Sequence, residues 1–170
     1  LRMMQSFTPD PVPAVDAGEF RFTPAKAYAR PPRVYRVEPD ASSASYFFAL
    51  PLVTGVALHV QGVDPERSLQ GDFAFLRVLE RSGLTVARTA SGVRVSADPR
   101  SRRARDTDFF QISDTFLTYA ALAPLFPNPF SVEGIEHTRK QETDRVQAAA
   151  NELKRLRQTV NEAPDRLDIV

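Results

Sequence analysis

Cysteine is absent from all 170 residues, and histidine occurs only as His59 and His137. Without cysteine there is no disulfide framework, no thiolate metal ligand and no thiol nucleophile. Two histidines so far apart in sequence argue against a zinc site. No stretch reaches the roughly 18 consecutive apolar residues that a membrane-spanning helix needs. No basic segment followed by an apolar core marks the chain for secretion, so the cytoplasm is the default expectation. An excess of one charge is lacking too. The formal net charge is +1, which gives no argument for nucleic acid or a membrane surface as partner. The run Arg100-Ser101-Arg102-Arg103-Ala104-Arg105 has no interleaved aromatics and reads as a solvated connector.

What is present is an ordinary globular composition, 42% hydrophobic and 25% charged, enough to bury a core. The length suits one domain or a piece of a larger protein. Both ends read as cut, because Leu1-Arg2-Met3-Met4 begins inside an apolar pattern and Leu167-Asp168-Ile169-Val170 stops within a strand pattern. Pro9, Pro11, Pro13, Pro24, Pro31 and Pro32 rule out a long helix near the start. Residues 1–7 read as the last turns of a helix, and residues 19–23 and 34–37 as short edge strands.

From residue 40 the pattern becomes regular. Asp40 is an N-cap ahead of an apolar helix that Gly55 ends. That helix is apolar nearly all round, which predicts burial on every side. Residues 56–60 alternate as a strand, and a loop runs from Gly62 to Gly71. Asp72 is then read as the cap of a second helix, with Phe75, Leu76 and Leu79 on one face and Gly83 as its stop. Residues 85–88 and 93–96 make a hairpin turning at Ser91-Gly92. The second half repeats this order. Asp114 is read as the cap of an apolar helix over residues 115–122, and residues 130–134 form a strand. A further helix carries Val146, Ala149, Ala150, Leu153 and Leu156 on one face, and Thr159-Val160 pairs with residues 167–169. Gly62 matches Gly134, Val86 matches Val160 and Val95 matches Ile169, which defines an internal repeat of about 60 residues. Each unit reads helix, strand, helix, strand, strand, with a short strand leading in. Units of this kind must pack on one another, helices inside and sheets outside.

The stretch Glu136-His137-Thr138-Arg139-Lys140-Gln141-Glu142-Thr143-Asp144-Arg145 joins a strand to an amphipathic helix beginning near Thr143. It gathers ionisable side chains at a sheet edge beside a helix N-terminus, where anions are favoured. The equivalent loop of the first unit keeps the geometry but not this chemistry.

Four motifs now occur in a telling order: Asp40-Ala41-Ser42-Ser43-Ala44-Ser45-Tyr46-Phe47, Gln70-Gly71-Asp72, Ile112-Ser113-Asp114-Thr115 and Glu142-Thr143-Asp144-Arg145. In order and spacing the chain resembles the 3-phosphoshikimate 1-carboxyvinyltransferase (EPSP synthase) family, and the resemblance runs from residue 1 to residue 170. It implies an α+β fold of repeated βαβαββ units with buried helices and outward-facing sheets, three units to a domain. Residues 1–39 would be the tail of the first domain and the crossover. Residues 40–98 and 112–170 would be two of the three units of the second domain, joined by the connector 99–111. The implied reaction moves the carboxyvinyl group of phosphoenolpyruvate to the 5-hydroxyl of shikimate 3-phosphate and releases phosphate, with no cofactor and no metal. The family belongs to aromatic amino-acid biosynthesis and is the target of glyphosate; the glycine-bearing loop that governs sensitivity falls outside this sequence.

Carried over residue by residue, the resemblance makes Asp114 the contact to the shikimate hydroxyl and a general base. Glu142 becomes an acid/base near the phosphoenolpyruvate methylene, and Arg145 the ligand of its carboxylate, for which a two-pronged guanidinium is suited. Each role has a plainer competitor. Asp114 caps its helix just as Asp40 does, a contribution of about 1 kcal/mol. Glu142 favours the helix dipole, and Arg145 is a solvated flank. Asp144 orients its neighbours or caps. His137 and Lys140 are further substrate contacts, as is Gln141, which stands where most relatives have lysine. His59 is read as structural. Arg157 replaces the glycine that stops the first unit's second helix. The family's remaining lysine, serine, glycine and arginine ligands fall outside the sequence, so the chain alone is expected to show no turnover.

Two other readings stay open. One is the sister transferase acting on UDP-N-acetylglucosamine, against which the motifs beginning at Asp40 and Glu142 argue. The other is a non-catalytic substrate-binding relative, supported by Gln141. The full-length protein is expected to be a monomer, and the piece, with apolar helix surface uncovered, to self-associate.

Overall fold

The computed structural model of the chain describes residues 2–5, 7, 15–16, 19–20 and 34–170, and it divides into two compact units, 1–38 and 39–170. In the first unit α1, Arg2–Gln5, is a single helical turn. The strands β1 (Val15–Asp16) and β2 (Glu19–Phe20) pair antiparallel. The rings of Phe7 and Tyr35 lie 5.1 Å apart. The strand expected over 19–23 is present in its first two residues, and residues 21–23 and the six prolines lie outside the described residues. No strand forms over residues 34–37. Val34 and Val37 are exposed there, and Pro31-Pro32 just upstream offers no N–H to begin a ladder.

The second unit holds two chain segments of like plan. The first comprises α2 (Ala41–Thr54), β3 (Leu58–Gln61), α3 (Phe75–Arg81), β4 (Leu84–Thr89) and β5 (Gly92–Ala97). Its sheet has the order β3-β5-β4, all antiparallel. The second comprises β6 (Thr107–Asp108), α4 (Phe116–Ala121), β7 (Phe130–Glu133), α5 (Arg145–Arg155), β8 (Val160–Ala163) and β9 (Arg166–Ile169). Its sheet has the order β6-β7-β9-β8, with β6 parallel to β7 and the rest antiparallel. The second segment therefore reads βαβαββ in full. The chain belongs to the mixed helix-and-sheet class.

The repeat inferred from sequence is matched in backbone detail. Val86 lies opposite Val95 in one hairpin, and Val160 opposite Ile169 in the other. Gly62 and Gly134 both follow the strand after the first helix, at φ +79° and +73°. That left-handed turn favours glycine. At Gly134 an added Cβ would also lie 2.7 Å from the Phe110 nitrogen.

Asp40 caps α2, accepting from the amides of Ser42 at 2.9 Å and Ser43 at 3.2 Å. Gly55 ends that helix at φ +73°, its N–H donating to the Pro51 carbonyl at 2.8 Å. Burial of α2 is one-sided rather than complete. Phe48 and Leu52 are buried, whereas Tyr46 and Phe47 are 63% and 56% exposed. The cause is coverage: α3, α4, β3 and β5 contact α2, and together they occupy one side of it.

One core joins the two segments. Tyr119 of α4 stands edge-on to Phe75 and to Phe130, with ring centroids 6.4 Å and 5.3 Å away. Its hydroxyl lies 2.9 Å from Ser82 Oγ and accepts from the Arg105 amide at 2.8 Å. Burial pushes the Tyr119 pKa up, against the opposing pull of those hydrogen bonds. Where α2 meets α4, the buried hydroxyls of Ser45 and Thr118 pair at 2.8 Å.

Several local expectations are corrected. Asp72 does not cap a helix; it lies in a 3-10 turn, Gly71–Ala74, and accepts from Ser42 Oγ at the start of α2. Leu156 is 58% exposed, because α5 stops at Arg155 before that position can turn inward. The Arg-rich connector is not wholly solvated. Arg102 donates to the carbonyls of Leu125 at 2.6 Å and Leu52 at 2.8 Å, satisfying acceptors that helix ends leave unpaired. Arg157 does stop α5. It takes φ +63°, and the Gln158 N–H donates back to the Leu153 carbonyl at 3.0 Å. This is the terminator geometry that glycine usually supplies.

Candidate active site

The charged stretch after β7 is shaped by short local turns. Gly134 reverses the chain and Ile135 is fully buried. Residues Glu136–Lys140 form a 3-10 turn, not the open loop expected. Thr138 is buried, its hydroxyl donating to the Ile135 carbonyl at 2.7 Å. Gln141, at φ −88° and ψ −147°, breaks the turn. Asp144 then caps α5 by accepting from the Gln147 amide at 2.9 Å, and the helix begins at Arg145, two residues after the start expected near Thr143. Asp144 also accepts from Arg139 at 2.9 Å, so it both caps and orients. Its pKa is lowered, chiefly by the Gln147 amide, against the opposing effect of burial, with Arg139 adding to the lowering.

Arg145 is the first residue of α5, and its side chain is 19% exposed. One guanidinium nitrogen donates to Asp114 Oδ1 at 2.7 Å. Another donates to both carboxylate oxygens of Glu142, at 3.0 Å and 2.9 Å. Asp114 reaches this position from the 3-10 turn Ser113–Thr115 that leads into α4, and it makes no cap hydrogen bond. The capping alternative therefore holds for Asp40 and fails for Asp114. The solvated-flank reading of Arg145 fails as well.

Three ionised groups thus meet at one point, two carboxylates on one guanidinium. Burial disfavours the Arg145 charge, but the bonds to Asp114 and Glu142 outweigh it and raise its pKa. Glu142 is held below the usual carboxylate range, first by its own backbone N–H and then by Arg145. The carboxylates themselves remain open to solvent, Asp114 at 50% and Glu142 at 76%. Such an arrangement can exchange a carboxylate partner on Arg145 for an incoming anion, and can take up or release a proton.

The other expected site residues lie in or just after the 3-10 turn but are not joined to this cluster. His137 stands edge-on to Phe110, 5.5 Å between centroids. Lys140 and Gln141 are exposed, and their side chains make no hydrogen bond or ion pair among the described residues. His59 pairs with Thr89 Oγ1 at 2.9 Å, as a structural histidine should. Two residues of evident importance carry no sequence signal. Arg139 is tied down by several bonds, and Asp165 accepts from the Glu136 amide at 2.6 Å. Both depend on the β8–β9 turn folding back onto the stretch.

Two clefts lie elsewhere. Cavities of about 320 Å³ and 510 Å³ flank the 62–71 loop, and both include Pro65 and Arg88. The Arg145 cluster presents its two carboxylates on an exposed ledge. No group of three or more metal-ligating side chains occurs among the described residues. No helix there is long and apolar enough to cross a membrane.

Comparison with known proteins bears on what this ledge belongs to. The family model described as EPSP synthase (3-phosphoshikimate 1-carboxyvinyltransferase) matches residues 1–170. A 3-phosphoshikimate 1-carboxyvinyltransferase of Opitutus terrae is 46% identical over 146 residues, covering 85% of this chain and 30% of the relative. That of Nostoc punctiforme is 43% identical over 135 residues, covering 79% and 31%. That of Cellvibrio japonicus is 39% identical over 171 residues, covering 99% and 39%. In fold, the chain is similar to the solved EPSP synthase of Acinetobacter baumannii, with TM-score 0.61 and 22% identity, covering 78% of this chain and 32% of that one. The chain thus spans between 30% and 39% of the length of these relatives. By the match of its whole length to the family model, and by these relatives, the chain belongs to the EPSP synthase family.

Proposed function

We propose that the protein transfers the carboxyvinyl group of phosphoenolpyruvate to the 5-hydroxyl of shikimate 3-phosphate, and that this chain carries about half of the site. The observation that carries the reading is Arg145 held between Asp114 and Glu142 at 2.7–3.0 Å. These are the three residues on which the family resemblance places the chemistry. Residues 1–39 are the tail of one domain. Residues 40–98 and 112–170 are two of the three units of the other, linked by residues 99–111.

In this reading Arg145 binds the phosphoenolpyruvate carboxylate through its two-pronged edge. Asp114 takes the proton of the 5-hydroxyl as its oxygen bonds to C2 of the enol, and Glu142 delivers a proton to the methylene carbon. The product of that addition is a tetrahedral ketal. Elimination breaks the bond from C2 to the phosphate oxygen, which takes the proton held by Asp114, and the methylene proton returns to Glu142, restoring the vinyl group. Arg145 restrains Glu142 as an anion. A substrate carboxylate arriving on Arg145 relaxes that restraint, which lets Glu142 hold the proton the addition needs. His137 and Lys140 contact substrate from the 3-10 turn, and Gln141 from the residue that ends it.

The chain alone has no turnover and associates through the exposed face of α2 around Tyr46 and Phe47, whereas the completed protein is a monomer. The test is phosphate release by a chain completed to the length of its relatives, with phosphoenolpyruvate and each acceptor in turn. Release with shikimate 3-phosphate supports the reading. Release only with UDP-N-acetylglucosamine, or silence from a folded protein, rejects it.

A further inference from the structure

We infer that Arg139 is a positioning residue that clamps the 136–145 stretch to the β8–β9 turn and so sets where Glu142 and Arg145 stand. The inference rests on the proposed function only for what the clamp serves. Arg139 is 20% exposed and spends its whole guanidinium on the protein. Its Nε donates to the Pro164 carbonyl at 2.7 Å, and one terminal nitrogen to the Ala163 carbonyl at 2.7 Å. The other donates to Glu162 at 2.9 Å and to Asp144 at 2.9 Å. A planar fork is suited to satisfying several acceptors at fixed angles, as an ammonium group is not.

The position of each partner explains the consequence. Glu162, Ala163 and Pro164 belong to the β8–β9 hairpin, whose strand β9 pairs directly with β7. Asp144 is the N-cap that starts α5, immediately before Arg145. Arg139 therefore links the sheet to the residue that aims the first turn of α5. Glu142 lies between Arg139 and Asp144 and is carried on a span fixed at both ends. The Glu136 amide, bonded to Asp165, holds the start of the stretch to the same hairpin turn.

The repeat supplies an internal control. At the 72-residue spacing of Gly62 and Gly134, Arg139 corresponds to Arg67 and Asp144 to Asp72. Arg67 is 89% exposed and its ion pair, to Asp64, is 3.8 Å long. Asp72 is directed to Ser42. The arginine is present in both loops, but the clamp is built only in the loop that carries a glutamate and an arginine on Asp114.

The test uses the chain completed to the length of its relatives, with Arg139→Gln, Arg139→Lys and, as control, Arg67→Gln. Hydrogen exchange reads the order of residues 136–145, and steady-state kinetics reads the site. Arg139→Gln is expected to speed exchange across residues 136–145 severalfold and to lower kcat about a hundredfold, as misplacement of a reacting group by about 1 Å does. Arg139→Lys is expected to fall between it and the unaltered protein, with the melting temperature little changed in both. Arg67→Gln is expected to change neither exchange at 136–145 nor kcat. Unchanged exchange in Arg139→Gln overturns the clamp, whatever the activity. Faster exchange with unchanged kcat overturns the positioning role. Absence of turnover in the unaltered completed protein rejects the proposed function instead, and exchange alone then decides the clamp.

Discussion

Arg145 donates to Asp114 at 2.7 Å across 31 residues of sequence, tying the first turn of α5 to the turn that leads into α4. Asp40 occupies the corresponding place in the first segment and does something different. It accepts from two amides and a hydroxyl within its own turn. Two aspartates equivalent by repeat have therefore been assigned to separate tasks, one to the helix and one to the site.

That division predicts opposite phenotypes. Asp40→Ala should cost about 1 kcal/mol of stability, the usual value of an N-cap, and leave the chemistry alone. Asp114→Ala should cost less than about 1 kcal/mol, since a half-exposed ion pair is worth little. Urea denaturation of the two variants measures the difference. A larger loss for Asp114→Ala would mean that it caps after all.

Arg157 holds a left-handed backbone without being glycine. Arg157→Gly should raise stability, by up to about 1 kcal/mol, because the side chain's clash with the backbone is removed. Arg157→Ala should bring no such gain, since it keeps the Cβ. Thermal melts of the two variants side by side decide this.

Acid should destabilise the fold through identifiable carboxylates. Asp40, Asp144 and Asp168 all have pKa values lowered in the folded state. For Asp40 the leading cause is the Ser43 hydroxyl, for Asp144 the Gln147 amide and for Asp168 the Ser131 hydroxyl. Because the unfolded chain binds these protons first, their stabilisation is complete above the ordinary carboxylate range, near pH 4, and is lost as pH falls through the lowered values. Denaturation midpoints measured from pH 7 down to pH 2 should therefore be level at first and then drop. Asp144→Asn should flatten part of the drop.

Tyr119 is the polar centre of an otherwise aromatic cluster. Tyr119→Phe would leave the Arg105 amide without its partner, while Ser82 Oγ keeps its bond to the Val78 carbonyl, at a cost of about 1–3 kcal/mol for the group left unsatisfied. Chemical denaturation gives the value, and a loss near zero would mean that the Arg105 amide finds another partner.

Much of this architecture was legible because it is written in local chemistry. Gly62 and Gly134 mark matching turns, Asp40 announces a helix start, and the alternation at Val86, Val95, Val160 and Ile169 fixes two hairpins. The failures share a cause. Asp72 and Asp114 look like caps because an aspartate before an apolar run usually is one, and only the fold decides that a partner from a distant turn is better placed. Residues 34–37 read as a short strand, yet a strand exists only where another lies beside it. Within the site, Glu142 lies three residues before Arg145 at a helix start, and the two could be paired from spacing. The approach of Asp114, and the hold of Glu162 on Arg139, arise from how α4 and the β8–β9 hairpin pack, which no local pattern records.

The most direct test compares phosphate release from phosphoenolpyruvate and shikimate 3-phosphate by the completed chain, its Asp114→Asn variant and its Asp40→Asn variant. A general base should cost about 10²–10⁴-fold when neutralised. The account predicts a fall of that size in kcat for Asp114→Asn and near-normal turnover for Asp40→Asn. Equal turnover in all three proteins would contradict it.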